Sequence, residues 1–196
     1  MTTQPPARTR NAATTRLAIL RSARAAFARS GYDGVGVREI AKGAGVTAML
    51  INRYFGSKEE LFAEVVADTM AQPVILTSQN LEAASLSDSM AAALVELTTP
   101  GALPLDGFMI MFHSASSRRA AEIAREQIER HHQGVMARAL TGDMAAQRAA
   151  LVLAVVAGVQ VMRQMIGLSA LTDADPEALE KLIAPMLRGL IEGPAD

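Results

Sequence analysis

Residues 35–58 read V-G-V-R-E-I-A-K-G-A-G-V-T-A-M-L-I-N-R-Y-F-G-S-K. Val37, Ile40, Ala41 and Ala44 recur at helical spacing, and Gly45 stops that run. Thr47 offers an N-cap for the next short helix, through Phe55, with Val46 placed to staple onto Ile51. Two short helices joined by a glycine turn, each with an apolar inner face, form a helix-turn-helix over about 36–55 whose second helix can enter a major groove. With Ile51 and Phe55 turned to the core, Ala48, Met49, Asn52 and Arg53 point away from it. Asn and Arg suit bidentate contacts with adenine and guanine edges. Spacing alone also fits a plain helical hairpin with a solvated basic face.

Charge separates these readings. The net charge of the 196-residue chain is only -1, but it is unevenly placed. Residues 1–58 hold ten basic side chains (Arg8, Arg10, Arg16, Arg21, Arg24, Arg29, Arg38, Lys42, Arg53, Lys58) against Asp33 and Glu39, a surplus of eight, so the remainder carries -9. Such asymmetry points to a nucleic-acid or membrane contact in the basic part. Half of the residues are hydrophobic, which excludes a disordered chain, and the length suits one or two domains. Zero Cys excludes disulfides and thiolate-bound metals and fits a reducing, cytoplasmic setting.

Outward from this stretch the chain reads as all-α. A first helix is expected over about 15–30, burying Ile19, Leu20, Ala23, Ala26 and Phe27 and ending at Gly31. Ser57-Lys58-Glu59-Glu60 is a capping box that opens a fourth helix to about Ala71. Further helices are expected from Ser85 or Ser87 to Thr98, from Leu105 to Ser114, from a Ser117 cap to Leu140, and from an Asp143 cap to about Leu168. Asp175-Pro176 opens the last one, with a kink or break near 184 imposed by Pro185. Residues 1–13 lack the apolar core of a secretory signal and read as a flexible basic arm. The apolar run Ala149–Val159 falls short of the roughly 20 residues a spanning helix needs, so no membrane is expected. The organisation is then an arm (1–13), a three-helix DNA-binding head (14–60) and a larger helical body (61–196).

The run from Arg16 to Val66, with I-L-R-S-A-R-A-A-F-A-R-S-G-Y, V-R-E-I-A-K-G-A-G-V-T and R-Y-F-G-S-K-E-E-L at fixed spacing, resembles the N-terminal DNA-binding domain of the TetR family of bacterial transcription regulators. That resemblance implies a homodimeric repressor with a ligand-binding, dimerising body. It places the recognition helix over Thr47 to Tyr54, with phosphate contacts at Thr47, Tyr54 and Lys58. Arg38, Thr47, Ala48, Met49, Asn52, Arg53, Tyr54 and Lys58 therefore form the expected DNA-binding set. The family usually has Tyr at the position of Asn52, a small residue or Pro at Met49, and Thr or Ser at Gly36. The first two departures make Met49 a thymine-methyl contact and Asn52 a polar reader.

In the body, the all-round apolar character of Ala149–Val159 suits a helix covered by its own protomer on one side and a partner on the other. The expected dimer interface is Val152, Val155, Val156, Val159, Met162, Arg163, Leu179, Leu182, Ile183 and Met186, and symmetry then requires a pseudo-palindromic operator on double-stranded DNA. The expected pocket, for a small apolar ligand, is Met90 with Phe108, Met109, Met111, Phe112 and His113, where flexible Met side chains suit adaptable sites; ordinary core packing explains the same residues. Glu129 and His132 share a face, but adjacent His131 points elsewhere, and a solvated helix face outweighs a metal site. Gly31, Gly34 and Gly36 lack the strand and Lys-Ser/Thr of a phosphate loop, and no Gly-x-Ser-x-Gly elbow is present. No enzyme, metal or cofactor is expected. The competing function is a helical small-molecule binding protein whose basic head docks on another protein.

Overall fold

The structure, a computed structural model, describes residues 7–71 and 73–193. All regular structure among them is helical, as the periodicity predicts. The order is α1 (Ala7–Ser30), α2 (Val37–Gly43), α3 (Ala48–Phe55), α4 (Lys58–Met70), α5 (Ser78–Leu81), α6 (Leu86–Leu97), α7 (Asp106–Ser114), α8 (Arg118–Ile128), α9 (Gly134–Ala139), α10 (Ala145–Gln160), α11 (Ser169–Thr172) and α12 (Pro176–Glu192). Wide π-helical turns follow α8 (Glu129–Gln133) and α10 (Val161–Met165). Helix α1 starts at Ala7 rather than near 15, so the expected arm is helical from that residue; residues 1–6 lie outside the described residues.

The helices group into two compact units, one running to Thr69 and resuming over Leu105–Gln127, the other made of Met70–Pro104 and residues from Ile128 on. The first unit buries Ile19, Phe27, Ile40, Ile51, Leu61, Phe62 and Ile110. Phe62 meets Phe27 edge-on at 5.1 Å and Tyr32 at 5.0 Å. Helix α7 packs on α1, which no local pattern announces. Gly31 ends α1 at φ +66, and a Cβ there would strike the His113 carbonyl. Alongside, the Ser114 hydroxyl accepts from the Tyr32 amide at 2.9 Å, and His113 Nδ1 is hydrogen-bonded at 2.7 Å to the Ala28 carbonyl.

The second unit is built on Met90, Leu94, Met136, Val152, Leu179, Ile183 and Leu187, with α12 packed along α6 and α10. Ser85 and Asp175 cap α6 and α12 as the sequence predicts, accepting from the Asp88 and Ala178 amides. Two expectations fail. Asp143 does not cap α10: Met144 occupies the N-cap in a left-handed conformation (φ 54) with no side-chain cap bond. The reason lies one turn in, where buried Arg148 donates to the Asp143 carbonyl at 2.9 Å and to the Thr141 carbonyl, fixing the turn through backbone acceptors. The same guanidinium reaches the Leu190 and Ile191 carbonyls at 3.2 and 2.9 Å, satisfying orphan acceptors at the end of α12. Nor does Pro185 break α12, which is continuous from Pro176 to Glu192 with Pro185 exposed.

Helix α10 and the turn after it, Ala145–Met165, are long and apolar enough by length and composition to cross a membrane. One face of this segment packs inward, while Leu151 and Met162 on it are exposed. Arg148 and Arg163 are buried and bonded to carbonyls of neighbouring segments, and Ala149 and Val152 join the hydrophobic cluster.

Replacing Arg148 with Met should lower stability by about 2–3 kcal/mol in urea unfolding, because four carbonyls lose a charged donor. Gly31→Ala should cost more than about 1 kcal/mol, since it imposes both an unfavourable φ and a collision with α7.

Candidate nucleic-acid interface

Helix α2 is tied to α1 where the Ser22 hydroxyl donates to the Ile40 carbonyl at 2.8 Å, and Gly43 leaves room for that hydroxyl. Gly45 then turns the chain at φ +66, and the Val46 amide bonds back to the Ala41 carbonyl at 2.9 Å. This fixes the entry to α3. Thr47 stands at the N-cap as predicted, but its side chain makes no capping bond; its carbonyl accepts from Leu50 instead. The exposed hydroxyl remains available to a phosphate.

Along α3, Ile51 and Phe55 are buried, and the Arg16 guanidinium lies 4.9 Å from the Phe55 ring centre, closing the helix's far end against α1. Met49, Asn52 and Arg53, at i, i+3 and i+4, form one exposed stripe opposite. Met49 is 80% exposed, an unusual setting for a large apolar side chain. Ala48 and Tyr54 are half-buried at its margins, and Arg38 is exposed on α2. Gly56 ends α3 at φ +79, where a Cβ would meet the Glu60 carboxylate, and Ser57 accepts from the Glu60 amide at 3.1 Å as the capping box predicts. Lys58 behaves differently from a free phosphate ligand. Its Nζ lies 4.2 Å from the centre of the Tyr32 ring, and burial pushes its pKa down from the ordinary lysine value.

Two family models match the chain. One, for bacterial regulatory proteins of the tetR family, covers residues 19–65, and the other, for a tetracyclin repressor-like C-terminal domain, covers residues 84–191. The chain belongs to the TetR family. Solved structures agree on its fold. A transcriptional regulator from Rhodococcus sp. Rha1 is 26% identical, with 90% of this chain and 95% of that one covered at a TM-score of 0.61. GusR of Salmonella enterica is 20% identical over 90% and 95%, with a TM-score of 0.71. The multidrug binding protein EbrR, solved with proflavin, is 20% identical over 90% and 99%, with a TM-score of 0.58. None of the curated proteins compared with the sequence matches it.

In this TetR-family chain the expected pocket residues divide between the two units. Met90 is fully buried in the cluster of the second. Phe108, Met109, Met111, Phe112 and His113 lie on α7 of the first, where Phe108 stacks on Phe112 at 6.2 Å and Phe112 stays 44% exposed. The expected interface residues divide too. Val152, Arg163, Leu179 and Ile183 are buried within the protomer. Arg163 donates to the Val95 carbonyl and the Thr98 hydroxyl at 2.8 and 2.9 Å and to the Leu171 carbonyl at 3.0 Å, so it closes the end of α6. The wide turn at Val161–Met165 brings Gln164 to the Leu97 carbonyl beside it. Val155, Val156 and Val159 are half-buried against the cluster, whereas Met162, Leu182 and Met186 are exposed, together with Leu151 and Ile166, which periodicity did not single out. His132 is half-buried, and desolvation first and His131 second hold its pKa below the ordinary histidine value. Among the described residues no group of three or more metal-ligating side chains comes together.

Asn52→Ala and Arg53→Ala should leave stability within about 0.5 kcal/mol, as exposed substitutions do. Ile51→Ala should cost about 2–5 kcal/mol. Thermal or urea unfolding of the three variants measures this separation of the exposed face from the buried one.

Proposed function

We propose that the protein is a homodimeric, sequence-specific DNA-binding transcriptional repressor, working in the cytoplasm and released from a pseudo-palindromic operator by a small, largely apolar ligand. The observation that carries the reading is the stripe of Met49, Asn52 and Arg53, exposed on a helix whose opposite face is locked by Ile51 and Phe55. Such a helix presents side chains to base edges without disturbing its own packing. Arg53 reads guanine, and the free Thr47 hydroxyl and Tyr54 reach phosphate. Met162, Leu182 and Met186, exposed at 45%, 68% and 57%, supply the apolar surface a partner protomer covers. Two-fold symmetry then sets two heads on two half-sites. Helix α7, rich in Met and Phe and tied to α1, supplies the ligand contacts Phe108, Met109, Met111 and Phe112; the multidrug binding protein EbrR, similar in fold, was solved with the small molecule proflavin.

Selection of bound fragments from a genomic pool should return inverted repeats with half-sites about one helical turn apart. On the selected site, Arg53→Ala should weaken binding by about 1–3 kcal/mol at fixed salt with the fold retained. Unchanged affinity would remove α3 as the reading helix. Leu182→Glu with Met186→Glu should halve the mass seen by sedimentation; an unaltered mass would place the interface elsewhere.

A further inference from the structure

From Ala149 to Val159 every residue of α10 is apolar, and immediately afterwards the chemistry changes. Gln160, Arg163 and Gln164 follow at i, i+3 and i+4, so they share one side of the helix end and of the wide turn that continues it. Gln160 and Arg163 are only 5% and 4% exposed. Arg163 and Gln164 also converge on one short stretch of α6. Arg163 Nη1 donates to the Val95 carbonyl and the Thr98 hydroxyl, and Gln164 Nε2 donates to the Leu97 carbonyl at 2.9 Å. Val156, one turn before Gln160, packs against the hydrophobic cluster of the second unit.

The hydrogen bonds of this polar cluster do not close. Gln164 Oε1 is covered from solvent and has no partner. Because the other end of that amide donates to a carbonyl, which only accepts, the orphan is an acceptor that lacks a donor. The Gln160 carboxamide makes no hydrogen bond to any described residue. Arg163 engages Nε and Nη1 but not Nη2, whereas the other buried arginine, Arg148, engages all three of its nitrogens. Unlike Gln164 Oε1, the Gln160 amide and Arg163 Nη2 keep a little accessible surface. Buried polar groups left unbonded are the exception in folded chains, and wide helical turns recur at functional sites. The charge of Arg163 is already met by the carbonyl end of α6. What the cluster lacks is a neutral group that both donates and accepts.

We propose that Gln160, Arg163 and Gln164 form a hydroxyl-binding site within the second unit, which takes the alcohol or phenol group of a small, otherwise apolar molecule. The ligand O–H donates to Gln164 Oε1 as that side chain adjusts to meet it, and the ligand oxygen accepts from Arg163 Nη2 or the Gln160 amide. An ether, a ketone or a carboxylate has no hydrogen to give. An ammonium has no lone pair to offer and meets the charge of Arg163. The proposal rests on the ligand-responsive reading above and names the chemical class of the ligand. It assigns Gln160 and Gln164, which hydrophobic patterning passes over.

The test uses the full-length protein with two matched pairs, thymol beside thymol methyl ether and octanol beside octyl methyl ether. In thermal unfolding, each hydroxyl compound should raise the wild-type midpoint and bind about tenfold more tightly than its ether. Gln160→Leu and Gln164→Met should lose this preference while holding or raising the midpoint without ligand, since an apolar replacement removes an unmade bond. Gln127→Met, which removes the covered and unpartnered Oε1 of the first unit, should keep the preference. Equal binding of hydroxyl compound and ether by wild type, or a preference that survives in both the Gln160 and Gln164 variants, overturns the site. If the ethers bind as well as the hydroxyl compounds and release the selected operator, the site falls and the ligand-responsive reading stands. If none of these compounds binds or releases the operator, both fall.

Discussion

An eight-residue helix has no stability of its own in water, and α3 is eight residues long. Everything it presents outward depends on what it buries. Ile51 and Phe55 supply that anchorage, one turn apart on the same face, and the Arg16 guanidinium seals the second of them. The glycine turn at Gly45 sets where the helix starts, and Gly56 sets where it stops. Between those limits Met49, Asn52 and Arg53 are released from packing, so they can vary while the scaffold stays constant.

The scaffold reaches further along the chain than the helix-turn-helix. Helix α7 lies in the same compact unit as α1 and meets it at Gly31 with almost no separation. The bonds from Tyr32 to Ser114 and between His113 and Ala28 hold the backbone on both sides of that glycine. Tyr32 also contributes its ring to the Phe27–Phe62 cluster and its face to Lys58. One aromatic residue therefore connects α7, the core of the head and the first turn of α4. Displacement of α7 would be felt at all three.

Much of this was legible from local pattern. Helical spacing marked α2 and α3, and Ser57, Ser85 and Asp175 act as the caps their neighbours imply. Long-range partners were not legible, because nothing in the order of residues says which acid meets which base. The surplus of positive charge looked uniform over residues 1–58, yet Glu64 and Asp106, both beyond that segment, remove Arg16 and Arg24 from it. Arg163 was expected at a dimer interface because its neighbours are apolar; within the protomer it is buried in the wide turn at Val161–Met165, bonded to carbonyls that the order of residues does not reveal. Asp143 failed as a cap for a similar reason, since Arg148 competes for the turn through its carbonyls. Pro185 was tolerated because it sits on an exposed face of a helix held elsewhere by Leu179, Ile183 and Leu187.

The discontinuity of the first unit also bears on how the protein is made. Helix α3 emerges from the ribosome early, but the unit closes only when Leu105–Gln127 has followed. The second unit waits longer, because Arg188 must find Asp88 across 100 positions and Arg148 must find the end of α12. Contacts so distant in sequence form late and slowly. A chain released before α7 is complete would carry all of α3 but lack the helix that packs on α1, so translation itself delays a finished first unit until most of the protein exists.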